Sequence, residues 1–90
     1  MDIKVSDVVK SLAGHDKGRY FVVIATLNDK FVLIADGVGR KAEEPKQKNV
    51  KHLRKVGRID LGSETAADND GIASAIDKLQ KDIQTGGANV

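Results

Sequence analysis

The sequence has no cysteine and no tryptophan, a single proline, and only Tyr20, Phe21 and Phe31 as aromatic residues. Without cysteine there is no disulfide framework and no thiolate zinc site, which suits a reducing compartment. No apolar run approaches the ~20 residues that a membrane span requires, and residues 1–7 lack the apolar core of a secretory signal. These absences predict a cytoplasmic protein with no membrane partner.

Catalytic chemistry is equally thin. There is no cysteine nucleophile, and His15 and His52 are far apart in sequence with no metal-ligand spacing beside either. Gly37-Val38-Gly39 begins like a dinucleotide-binding loop, but Arg40-Lys41-Ala42 follows with no third glycine, so it reads as a turn. The expectation is no enzyme, no cofactor, no metal and no small-molecule substrate.

What the chain does contain is segregated charge. Its net charge is only +2 over 90 residues, yet residues 40–58 hold Arg40, Lys41, Lys46, Lys48, Lys51, Arg54, Lys55 and Arg58 against Glu43 and Glu44. Residues 59–90 are acidic, with Lys78 and Lys81 against six carboxylates. A field divided in this way steers a polyanion to one face. The acidic end is then expected to lie on the far side of the molecule.

At this length one domain with a modest core is expected. β-branched and aromatic runs predict strands near Asp7–Ala13, Arg19–Thr26 and Phe31–Ala35, with a hairpin turn at Leu27–Lys30, where Asn28 and Asp29 tolerate positive φ. Arg40–Lys48, with Pro45, reads as a loop. Asn49–Val56 reads as a strand or a short 3-10 segment. Periodicity alone therefore gives a small β domain.

The second and third strands are apolar on both faces, so something must cover the outer one. Ile72, Ile76, Leu79 and Ile83 form one helical stripe and supply a candidate. Asp68, Asn69 or Asp70 can cap that helix and Gly86-Gly87 can end it. The expected division is a ragged lead-in over 1–6, a β unit over 7–58, a linker over 59–68, a helix over 69–84 and a disordered tail over 85–90.

Between the first two strands lies Gly14-His15-Asp16-Lys17-Gly18-Arg19. Its glycines permit close backbone approach, and its cations suit phosphate. Asp16 is expected to hydrogen-bond the turn backbone. With Val22-Val23 behind it, this segment resembles the KOW motif of several large-subunit ribosomal proteins and transcription elongation factors, over residues 6 to 58. Phe21 stands where many KOW motifs carry a third glycine. The resemblance implies a mainly β fold, a small SH3-like antiparallel barrel, here with a C-terminal α-helix.

The resemblance also implies RNA as the partner, ribosomal RNA and the large ribosomal subunit in particular, with Lys17 and Arg19 on phosphate. The candidate site is Gly14, His15, Lys17, Gly18, Arg19, Arg40, Lys41, Lys46, Lys48, Lys51, His52 and Arg54. With so few aromatics to stack on bases, folded RNA read through backbone and shape is expected. Two rivals are an SH3-like module that docks a peptide or acidic partner, and a small transcription or translation accessory factor.

Overall fold

The computed structural model describes residues 3–59 and 69–88, with side chains through Lys81. In chain order it contains β1 (Asp7–Ser11), β2 (Tyr20–Thr26), β3 (Phe31–Ala35), β4 (Lys46–Asn49), a 3-10 turn (Val50–His52), β5 (Leu53–Arg58) and α1 (Asn69–Ala88). The strands form one five-stranded antiparallel sheet in the order β4-β3-β2-β1-β5. The fold is mainly β, of the SH3-like KOW class, with a C-terminal helix.

Local chemistry explains the turns. At the β2–β3 hairpin the Asn28 Oδ1 accepts from the backbone N–H of Lys30 at 2.8 Å and of Phe31 at 3.0 Å. That Asx turn closes the hairpin without glycine. Two irregularities then curl the sheet: the register shifts between Val23 and Ala25 on β2, and again where Val8 and Val9 meet β5. Bulges of this kind increase local twist, which wraps a short sheet around a core.

Alternation along the strands makes two apolar layers. Val9, Phe21, Val23, Val32, Ile34 and Leu53 fill the interior, closed off by Ile3. Val8 and Val22 point the other way and meet Ile72 and Ile76, with Ile24, Val56 and Leu79 packed around them. The helix therefore covers the outer sheet face, as the two-sided apolar strands require. At Gly57 an added Cβ would come within 2.7 Å of Leu79, so glycine there lets the helix lie close. The Ile83 side chain falls outside the described residues.

Several sequence expectations need correction. Lys46–Lys48 is not loop but most of β4, an edge strand whose register partners run from Ile34 to Phe31. Its polar residues gave no strand pattern because ladder hydrogen bonds and lysine contacts hold it, not apolar burial. The 49–56 segment divides into the end of β4, the 3-10 turn and most of β5.

The lead-in is also ordered from Ile3. Ile3 is buried, Ser6 holds φ of 79°, and the Ser6 N–H donates to the Val23 carbonyl at 3.0 Å. The helix continues to Ala88, through Gly86 and Gly87, instead of ending at Gln84. Glycine costs a helix only about 1 kcal/mol relative to alanine, so two of them need not stop it. The 85–90 tail is thus helical over its described part. Of the 59–68 linker, all but Ile59 lies outside the described residues.

Candidate nucleic-acid interface

The Gly14–Arg19 segment is a tight loop between β1 and β2. Gly14 and Gly18 hold φ of +85° and +88°. Around Gly18 there is open space, so conformation alone asks for glycine. The Lys17 N–H donates to the Gly14 carbonyl (3.2 Å), Gly18 to Ser11 (2.8 Å) and Arg19 to Asp16 (2.9 Å). His15, Lys17 and Arg19 are exposed.

Asp16 is the exception among them. It is only 7% exposed. Its carboxylate accepts from the Ser11 hydroxyl at 2.8 Å, from Lys46 Nζ at 2.9 Å and from Lys48 Nζ at 3.1 Å. Lys48 Nζ also donates to the Ala13 carbonyl at 3.0 Å. Burial by itself would raise the Asp16 carboxyl, but the bonds from Lys46, Ser11 and Lys48 outweigh it and hold the group well below the usual carboxylate range. The expectation that Asp16 binds the turn backbone is corrected: its side chain takes side-chain donors from β1 and β4.

Opposite this loop lies the β3–β4 connection. Asp36 Oδ1 accepts from the N–H groups of Val38 (2.9 Å) and Arg40 (2.8 Å), which folds the chain back at Gly37. Gly37 holds φ of +80°, and a Cβ there would overlap the Asn69 carbonyl oxygen. Asn69 clips this connection to the start of α1. Its Oδ1 accepts from Ala42 N–H at 2.7 Å, and its Nδ2 donates to both Glu43 carboxylate oxygens at 3.0 Å. The bond from Asn69 lowers the Glu43 carboxyl. Asn69 thus serves the neighbouring connection.

These two loops meet. His15, Arg19, Arg40 and Lys46 line one shallow depression of about 200 Å³, together with Phe21, Gly39 and the carboxylates Asp16 and Asp36. Arg40 and Lys41 are exposed, as are Lys51 and Arg54, and none of these makes an ion pair with a described residue. The 3-10 turn that carries Lys51 and His52 is joined to the loop by the Leu12 N–H, which donates to the His52 carbonyl at 2.8 Å. His52 is half-buried.

The basic block of the sequence therefore divides in two. Lys46 and Lys48 pair with Asp16, and Lys55 and Arg58 pair with Asp7 at 3.5 and 3.3 Å. Arg40, Lys41, Lys51 and Arg54 face solvent. One half-buried cation absent from the sequence candidates neighbours Arg54: Lys10 lies between Tyr20 on β2 and Arg54 on β5. Like charges directly opposite each other weaken a sheet. Nothing in the sequence marks this pair, because only the β1–β5 register creates it.

Against expectation, the acidic end is not wholly remote. Asp77 of α1 lines a second depression together with Arg19 and Tyr20. The helix packs on the face of β1 and β2, and β2 starts at the loop exit.

No protein-family model matches the sequence. It is 47% identical over 49 residues to large ribosomal subunit protein uL24 of Campylobacter fetus subsp. fetus (strain 82-40), covering 52% of this chain and 64% of that one. It is 37% identical over 65 residues to uL24 of Campylobacter concisus (strain 13826), covering 68% of this chain and 83% of that protein. The chain belongs to the uL24 family of large ribosomal subunit proteins. The match to the first uL24 relative spans just under two thirds of that protein's length. The KOW resemblance of the Gly14–Arg19 segment and the uL24 matches agree in pointing to large-subunit ribosomal proteins.

Proposed function

We propose that this chain is a non-enzymatic RNA-binding protein of the cytoplasm that binds ribosomal RNA of the large ribosomal subunit. The barrel unit, residues 7–58, carries the RNA surface, and α1 covers its outer face. Lys17, Arg19, Arg40 and Lys41 contact phosphates from the two facing loops, with Lys51, Arg54 and Lys10 beside them. His15 and the Gly14 and Gly18 backbone complete the surface, and His52 supports it. One observation carries the reading: two loops distant in sequence converge on one depression, and each presents there an arginine with no ion pair among the described residues. The uL24 relatives support the choice of ribosomal RNA.

The rival peptide-docking module loses support because SH3-type grooves use exposed aromatics. Here Phe21 is buried and Tyr20 and Phe31 are half-buried. About four to six phosphate contacts give a log–log salt slope of about −3 to −5, so affinity falls roughly 60- to 1,000-fold between 50 and 200 mM salt. A salt titration on a folded ribosomal RNA fragment reads this directly. Salt-insensitive binding removes the phosphate surface, and no RNA binding at all favours a protein partner.

A further inference from the structure

Asp16 is the sole acid in the Gly14–Arg19 segment, and an acid beside phosphate repels it. Its surroundings nevertheless form a built site. Ser11, fully buried, offers its hydroxyl, and Lys46 and Lys48 reach in from alternate positions of β4, with Lys48 only 11% exposed at its side chain. The backbone bonds of the loop run within the loop, back to Ser11 of β1, or from Leu12 to His52 of the 3-10 turn; none of them reaches β4 among the described residues. Among the described residues, the hydrogen bonds that tie the loop to β4 come from these two lysines, to Asp16 and to the Ala13 carbonyl.

Resting on the RNA-binding reading above, we propose that Asp16 is a positioning residue. By drawing Lys46 and Lys48 inward it fixes the Gly14–Arg19 loop in its RNA-contacting shape, and those two lysines serve the loop instead of the phosphates. Three donors hold the carboxylate: one from the strand that enters the loop, two from a strand some thirty residues away. Charge-assisted bonds in a shielded place are the strong kind, so the loop is held more firmly than its backbone turns alone would hold it. The cations left for RNA are those with no carboxylate partner among the described residues.

The proposal makes a prediction opposite in sign to simple electrostatics. Asp16→Asn raises the net charge by one and frees two lysines, so a field argument expects tighter RNA binding. Positioning expects the reverse. The test uses the full chain and a folded hairpin RNA. Asp16→Asn should bind about tenfold more weakly at low salt, with a slope shallower by about 0.7 to 0.9 for each phosphate that the loosened loop no longer reaches. Equal or tighter binding with an equal or steeper slope overturns the proposal.

Ser11→Ala changes no charge and removes one donor from Asp16. It should weaken binding about threefold, less than the charged donors would. If Asp16→Asn does not fold, this variant decides: weaker binding supports the proposal, and unchanged affinity overturns it. Amide exchange separates this proposal from the RNA reading itself. The Gly18 and Arg19 N–H groups should exchange faster in Asp16→Asn while the β2–β3 ladder keeps its protection. Unchanged loop exchange overturns the clamp, whereas failure of the wild-type protein to bind RNA overturns the proposed function instead.

Discussion

Two aspartates are buried among the described residues, and each holds two cations, yet they do different work. Asp16 gathers Lys46 and Lys48 at 2.9 and 3.1 Å, and their side chains are 34% and 11% exposed. Asp7 gathers Arg58 and Lys55 at 3.3 and 3.5 Å, and theirs are 58% and 46% exposed. The firmer bond of Asp7 is local: its Oδ2 accepts from the Lys4 N–H at 2.8 Å across the turn that leads into β1. The Asp7 cluster therefore fastens a chain entry, with cations reaching in from solvent. The Asp16 cluster fastens a loop to a distant strand. Net charge does not separate them; the shielding and sequence distance of the partners do.

The largest stability effect is expected in neither cluster. Ile76→Ala empties part of the layer between α1 and the sheet and should cost roughly 2–4 kcal/mol by denaturant unfolding. It sets the scale for the aspartates. Asp16→Asn should cost about 1–3 kcal/mol, since it leaves shielded charge without its partner. Asp7→Asn keeps an acceptor for the Lys4 N–H and loses two solvent-screened pairs, so roughly 1 kcal/mol or less is expected. Equal costs for the two aspartates would break the contrast.

Acid sharpens the same contrast. The folded Asp16 carboxyl lies below its unfolded value of about 3.9, so its contribution is fully present above that pH and is lost as pH falls toward the folded value. The stability gap between wild type and Asp16→Asn should stay constant from pH 8 to 5 and narrow only below about pH 4. Urea unfolding at pH 7, 5 and 3 measures it; a gap that closes by pH 5 would contradict the geometry. Smallest of all is Lys81→Glu. Lys81 pairs with Asp77 one helical turn away at 3.1 Å, and both are exposed. Reversal should change stability by only about 0.3–0.5 kcal/mol and RNA affinity far less than Lys17→Glu does.

The apolar pattern was enough to read β2, β3, their hairpin and the helix that covers them, because those elements are made by alternation and a 3.6-residue stripe. β4 was not legible. Lys46-Gln47-Lys48-Asn49 has no apolar face, and its strand form depends on β3 beside it. The site was legible in the same partial way. The glycines and cations of residues 14–19 announce a phosphate-type loop, and residues 40–58 announce a basic surface. Which cations stay free was hidden, since the pairs of Asp16 with β4 and of Asp7 with β5 span some thirty and fifty residues. Lys10 was hidden for the same reason.

The central claim is that only the half of the basic block with no ion pair among the described residues meets RNA. Two double variants with the same loss of charge test it: Arg40→Gln with Lys41→Gln, and Lys55→Gln with Arg58→Gln. The measurement is the log–log salt slope of binding to one folded ribosomal RNA fragment. The first pair should flatten the slope by about 1.4 to 1.8, two phosphates at about 0.7 to 0.9 each, and the second should leave it near the wild-type value. Equal flattening by both pairs would contradict the account.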